Sequence, residues 1–234
     1  MLVARWDFNG SLVSHAGHKL LLENGAMPTF LRGGGIRFKA GSNLILPFDK
    51  LDGVCEGPDV TIVAWAKRPK PAKTLACIAG RWDEAGKRRK VALWHHVPLA
   101  GGNMSVYGHV SRWGGPTPGW KYSIDGAATR HDTTLADRVH MLGVTFDGEW
   151  ARAYLDGTTD SNPDVTTRQT NPAKSITCDR NPFHYPQGLN PDSTAPFRVN
   201  AASGGGATQH ARPMILERLE VYSRALTPAE MKAL

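Results

Sequence analysis

At 234 residues the chain is long enough for one large domain or two small ones, and all-β sandwiches of this length commonly form one unit, so a single domain over residues 1–234 is expected. A net charge of +7 favours polyanionic partners, while three cysteines, Cys55, Cys77 and Cys178, are too few and too scattered for a disulfide framework or a zinc site and leave room for one bridge at most. The 25 glycines and 16 prolines within a 41% hydrophobic chain indicate short elements joined by many turns, and no apolar run of about 18 residues offers a membrane-inserted segment.

The opening "MLVARWDFNG" lacks an apolar core behind a basic start, so no leader is read in this chain, and one already removed would leave no trace. Short runs of period two follow: "VTIVAWAK" (60–67), "TLACIAGRW" (74–82), "KVALWHHV" (90–97) and "NMSVYGHVS" (103–111). The dense basic stretch "GKRRKVALW" (86–94) lies where a turn runs into a strand and reads either as a solvated hairpin tip or as a docking patch. No zinc finger, RNA-recognition signature or long basic helix accompanies it, so nucleic acid stands last among the partners considered.

The segment 114–137 carries no strand pattern. Within it, "GHVSRWGGPTPGWKYS" (108–123) combines Pro116 and Pro118, which fix φ, with Gly114, Gly115 and Gly119, which admit otherwise forbidden turns. Such a loop can hold one shape, with Trp113 and Trp120 flanking a preset binding rim. The alternative is a compact loop whose tryptophans fill a small core of their own.

Further along, "HMLGVTFDG" (140–148) and "EWARAYLDG" (149–157) read as two antiparallel strands joined by a tight Asp-Gly turn. The segment 158–196 again lacks a strand pattern, "ASGGGA" near 202–206 reads as a flexible bend, and "ILERLEVYS" (215–223) is a last strand. The tail "LTPAEMKAL" predicts a short helix, with Thr227 as cap, Pro228 at the first helical position and Glu230 closing a capping box. Seven antiparallel strands without βαβ alternation predict an all-β, two-sheet antiparallel sandwich or jelly roll with a short C-terminal helix.

In order and spacing, "VTIVAWAK", "IAGRWDEAGKRRKVALW", "HMLGVTFDGEWARAYLDG" and "ILERLEVYSRALTPAEMKAL" resemble the laminin-G-like (LamG) members of the concanavalin A-like lectin and glucanase superfamily. The early "ARWDFNGSL" and "GIRFKAGSNLILP" resemble that family's first strands, so the likeness spans nearly the whole chain. It implies two curved antiparallel sheets and a secreted or cell-surface bacterial protein. The superfamily holds lectins, binding modules, hydrolases and lyases, so function has to be argued from residues.

Strand alternation places Val91, Leu93, His95 and Val97 on one face of "KVALWHHV" and Ala92, Trp94 and His96 on the other. In "NMSVYGHVS" it separates Met104, Val106, Gly108 and Val110 from Ser105, Tyr107, His109 and Ser111. With the apolar faces inward, Trp94, His96, Tyr107 and His109 emerge together as a patch suited to a pyranose, aromatic rings covering its C–H face and His or Tyr reaching its hydroxyls. Otherwise these aromatics pack against the sheet and the histidines are ordinary surface residues.

A glycoside hydrolase requires two carboxyl groups about 5–9.5 Å apart. The superfamily's Glu-x-Asp-x-x-Glu strand is absent, and the pairs Asp83/Glu84 and Glu217/Glu220 have opposite strand parity. A polysaccharide lyase acting on a uronate-containing polymer by β-elimination fits better, with His109 as base, Tyr107 or Tyr122 as acid and Arg81 or Lys121 neutralising the carboxylate. The Gln-Ile/Val-His and Tyr-Phe-Lys-Ala-Gly strands of jelly-roll alginate lyases are absent. No cofactor is required by either reading. The resemblance also implies a structural calcium ion, for which Asp7, Asp156 and Glu217 are the candidate donors, although such aspartates equally serve turns.

The primary reading is therefore a carbohydrate-recognising jelly roll that binds a polysaccharide or oligosaccharide, an acidic one in view of the charge, without membrane insertion. A lyase is the alternative. An adhesion or structural interaction module is the third.

Overall fold

The computed structural model describes residues 1–68, 74–98, 104–120, 123–129, 138–159, 165–167, 176–178, 181–204 and 207–234, without the side chains of 96–98, 104, 165–167 and 176–178. Its strands, in chain order, begin with β1 (Leu2–Trp6), β2 (Leu21–Asn24), β3 (Thr29–Phe30), β4 (Ile36–Phe38), β5 (Asn43–Leu46), β6 (Val60–Lys67), β7 (Ala76–Arg81), β8 (Val91–Pro98), β9 (Met104–Val110) and β10 (Gly126–Ala128). They continue with β11 (His140–Phe146), β12 (Trp150–Leu155), β13 (Val165–Thr167), β14 (Ile176–Cys178), β15 (Phe183–His184), β16 (Phe197–Val199), β17 (Ala202–Gly204), β18 (Ala207–Gln209) and β19 (Met214–Tyr222), before helix α1 (Pro228–Ala233).

Two antiparallel sheets form the sandwich. One has the order β15-β12-β11-β6-β19-β4-β3, with β1 also pairing β19; the other is β10-β9-β8-β7-β16-β5-β2. The main core lies between them, built from inward residues of both sheets such as Ile62, Leu93, Val106, Val144, Phe197 and Leu219. This is the layered solution that alternating strands demand, since each sheet must bury one face against another element.

β6 shows why its run is nearly continuously apolar. Val60, Ile62, Ala64 and Ala66 enter the main core, while Val63 and Trp65 turn outward into a second cluster with Tyr154, Leu226 and Met231. Helix α1 closes that outer face. Its capping box is formed: Glu230 N–H donates to Thr227 Oγ1 (3.2 Å) and Thr227 N–H donates to Glu230 Oε2 (2.8 Å). The β11–β12 hairpin closes on Phe146 and Ala151, with Gly148 at φ 89°, a backbone conformation that favours glycine.

The segments without a strand pattern are not bare loops. β10 lies in the first, and β13, β14 and β15 lie in the second. The "ASGGGA" stretch is also corrected: Ala202 pairs with Gln209 and Ser203 with Thr208, so it belongs to a hairpin. Cys55 and Cys77 are free, buried thiols rather than partners in a bridge, and the side chain of Cys178 lies outside the described residues. No helix among the described residues is long and apolar enough to cross a membrane.

Gly108 packs directly against the facing sheet. A Cβ there would sit 2.2 Å from Val144 Cγ2, whereas a Cβ at Gly115 would meet nothing nearer than Lys87 Cγ at 3.7 Å. Gly108→Ala is therefore expected to lower unfolding free energy by about 1–3 kcal/mol through overpacking. Gly115→Ala should leave the urea midpoint near wild type, and equal midpoints for the two variants would contradict this packing.

Candidate functional site

Three distant segments, 83–90, 111–119 and 189–195, are knitted into one rim of the sandwich. Asn190 is their central clasp: its Nδ2 donates to the carbonyls of Lys87 (3.3 Å) and Arg89 (3.2 Å), and its N–H donates to Ser111 O (2.7 Å). Ser193 Oγ donates to Arg88 O at 2.6 Å, and Arg89 N–H donates to Gly114 O at 3.2 Å. Gly114 is required here twice over, because its φ is 69° and any Cβ would fall 1.7 Å from Lys87 O. The loop's far side is held by Thr117, whose Oγ1 donates to Asp125 Oδ2 (2.7 Å) and accepts from Ile124 N–H (3.0 Å).

Between these segments opens a surface cleft of about 400 Å³ that includes Lys87, Arg88, Arg112, Trp113, Asn190 and Asp192 in its lining. Trp113 is 58% exposed beside it. Arg88 is neutralised by Asp83, but among the described residues Lys87 and Arg112 form no ion pair; Arg112 donates through Nη1 to Leu189 O at 3.2 Å. The cleft thus offers an apolar platform, two uncompensated cations, and amide and carboxylate groups to orient hydroxyls. Trp120 is half-buried and does not line it.

The sheet-face residues come together as alternation requires. Trp94 stands opposite Tyr107 and Ala92 opposite His109 across the β8–β9 pair. His109 lies 4.3 Å from the Tyr107 ring, 5.7 Å from Trp94 and 5.0 Å from Trp82, centroid to centroid. The expectation of an open patch is corrected, however, because Trp94 is 3%, Tyr107 2% and His109 9% exposed. They belong to a second packed cluster with Cys77, Trp82, Ala128 and Ala202, against which Leu75 also packs. Tyr107 Oη donates to Ile124 O (2.7 Å), and His109 Nδ1 meets Asp125 O at 3.2 Å. A buried ring has no free face for a sugar.

His96 falls at a bulge: the β8–β9 register shifts between His95 and Val97, so simple alternation stops there, and its side chain lies outside the described residues. Lys121 and Tyr122 also lie outside them. A second bulge, between Cys77 and Ala79 of β7, reverses the faces of the following residues. It turns Trp82 toward the aromatic cluster and sets Arg81 opposite inward-facing Val91. Arg81 is consequently on the other face from His109. Its guanidinium donates to Ala195 O (2.9 Å), Cys55 O (3.0 Å) and Ser193 O, and burial pushes its pKa down. The proposed carboxylate neutraliser is a structural clamp.

The three calcium candidates do not converge, because Asp156 lies apart from Glu217. Asp156 ends β12, and β11 and β6 stand between that strand and β19, which carries Glu217. The Asp156 carboxylate instead accepts from Arg138 (2.9 Å), His140 Nδ1 (2.8 Å) and Met141 N–H (3.0 Å), while Asp7 pairs with Arg5 at 3.0 Å. Among the described residues no cluster of His, Cys, Asp or Glu could hold a metal ion, so these residues do not fit the implied calcium site.

Arg112, Asn190 and Asp192 were missed by sequence reasoning, and so was Trp82. The "GKRRK" run pointed at part of the cleft, but nothing local in the sequence marks Asn190 as its clasp.

No family model and no curated protein sequence matches the chain. Solved structures do. Domain 4 of AbnA, a GH43 extracellular arabinanase from Geobacillus stearothermophilus in complex with arabinotriose, is 15% identical with a TM-score of 0.63, covering 99% of this chain and 97% of that one. The ligand-binding domain of botulinum neurotoxin serotype D, in complex with N-acetylneuraminic acid, is 9% identical (TM-score 0.58), and Trypanosoma rangeli sialidase is 13% identical (TM-score 0.57). Each matches 99% of this chain, which spans 50% of the toxin domain and 32% of the sialidase. These likenesses establish a two-sheet β-sandwich fold.

At the edge of the aromatic cluster, His210 is held below its ordinary value of 6.5, first by burial and then by the charge of Arg212, with Glu84 opposing. The native state then binds fewer protons than the unfolded chain in the window beneath 6.5. Its contribution to stability is present above 6.5 and lost as pH falls through the lower native value. Urea midpoints measured from about pH 7 to about pH 5 should fall more steeply in the wild type than in His210→Gln. Parallel slopes would contradict the assignment.

Proposed function

We propose that the protein is a carbohydrate-recognising module, laminin-G-like in kind and a single domain, that binds an acidic polysaccharide or oligosaccharide at the Trp113 cleft. The observation carrying this reading is Trp113 itself, 58% exposed beside a cleft of about 400 Å³ on a loop clamped by side-chain and main-chain hydrogen bonds. An exposed indole held in place supplies a flat face for sugar C–H groups with little further ordering cost. Lys87 and Arg112, which make no ion pairs among the described residues, supply the preference for a carboxylate or sulfate on the sugar.

Two of the structural neighbours are complexes with arabinotriose and with N-acetylneuraminic acid, which supports sugar recognition as the use of this sandwich here as well. The extracellular arabinanase supports an extracellular setting. The β-elimination alternative needs Arg81 or Lys121 beside His109; Arg81 stands on the opposite face of the sheet from His109, and Lys121 lies outside the described residues.

Calorimetric titration with an oligouronate and with its neutral counterpart tests this reading. Binding of the acidic oligomer should be the tighter of the two and should weaken with added salt. Trp113→Ala should reduce affinity about tenfold or more, as loss of a stacking anchor does, with the thermal midpoint unchanged because the side chain is exposed. Undiminished binding in Trp113→Ala would overturn the site.

A further inference from the structure

Away from the Trp113 cleft, around the outer face of the seven-stranded sheet, polar nitrogens lie without hydrogen-bond partners among the described residues. Trp94 is 3% exposed, yet its Nε1 is buried with no hydrogen-bond partner; His210 Nδ1 is in the same condition. The two rings lie 5.3 Å apart, edge to face. Arg212 follows two residues later, with Nε donating to Leu75 O (3.2 Å) and, among the described residues, no hydrogen bond or carboxylate partner at its terminal nitrogens. Across the sheet, on the inner side where His95 stands opposite Val106, Arg68 is 2% exposed and donates to Thr74 O (2.8 Å), Thr74 Oγ1 (3.3 Å) and His95 Nδ1 (3.2 Å), leaving Nε without an acceptor and the guanidinium without a carboxylate among the described residues.

We propose that Trp94, His210 and Arg212, backed by Arg68, form a binding site for a small oxyanion group: a carboxylate, sulfate or phosphate. Trp94 Nε1 and Arg68 Nε can only donate, and His210 Nδ1 donates in one tautomer and in the protonated ring. Buried polar groups without partners are rare in native proteins and call for a bound species. A water could satisfy individual N–H groups, but it cannot offset two neighbouring guanidinium charges, whereas an oxyanion does both.

Arg212 is close enough to act on both neighbours. Burial pushes the Arg68 pKa down to about 10 with the charge of Arg212 adding to the effect, and the same charge lowers His210. Glu84, whose charge His210 also feels, is engaged by Arg89 at 3.1 Å. This site is separate from the cleft residues and stands independently of the glycan reading.

The test follows the indole N–H signals of the ¹⁵N-labelled protein, with Trp94 assigned through Trp94→Phe. Sodium sulfate and sodium glucuronate are titrated against sodium chloride at matched ionic strength. The Trp94 signal should move saturably with sulfate or glucuronate and stay still in chloride. A response to sulfate alone makes the ligand group tetrahedral, and one to glucuronate alone makes it a carboxylate. Arg212→Met, at a half-buried position, should weaken the response at least about tenfold, as loss of a charge-assisted contact does. Trp113→Ala should leave it unchanged. A Trp94 signal that ignores both anions, that responds equally in Arg212→Met, or that is lost in Trp113→Ala would overturn the proposal.

Discussion

The rim of this sandwich depends on one buried cation. Arg81 projects inward from the end of β7 and spends its guanidinium on the carbonyls of Cys55, Ser193 and Ala195, which belong to two segments far apart in sequence. A charge removed from water is costly unless its donors are satisfied, and here main-chain oxygens rather than a carboxylate do so. Ser193, held in this way, in turn accepts the constraint of the 83–90 turn by donating to Arg88 O. The cleft beside Trp113 inherits its shape from that chain of contacts.

The two faces of the seven-stranded sheet divide the chemistry. Inward, Leu93, Val106 and Val110 meet the partner sheet. Outward, small residues such as Ala92 and Ala128 leave space that Trp82, Trp94 and Tyr107 fill, with Ala202 of the β17–β18 hairpin packed among them. The aromatic side chains best suited by type to sugar stacking are consumed in this packing. On the rim, by contrast, the Trp113 indole remains in solvent.

Much of the architecture was legible in the sequence because it is encoded locally. Alternation located β6, β8, β9 and β19 to within a residue or two, and Thr227, Pro228 and Glu230 marked the helix start. Alternation also brought Trp94, Tyr107 and His109 to one face correctly. It failed where a bulge reverses parity, which is why Arg81 was assigned to a site it turns away from and Trp82 was overlooked. It also could not reveal burial. Cover over the aromatic face comes from Leu75 and Ala202, contacts that no local pattern encodes. The cleft was partly visible in Trp113 and the basic run, but Asn190, which clasps the carbonyl of Lys87 across 103 residues of sequence, carries no signal that spacing could detect.

On the proposed reading, the sugar rings of a glycan stack at the Trp113 rim and not on the packed aromatic face. Mapping amide and indole chemical-shift changes on addition of oligogalacturonate tests it most directly. The account predicts the largest changes in 86–88, 112–114 and 190–194, together with the indole N–H of Trp113. Changes confined to the eight-stranded sheet, or absent from those three segments, would contradict it.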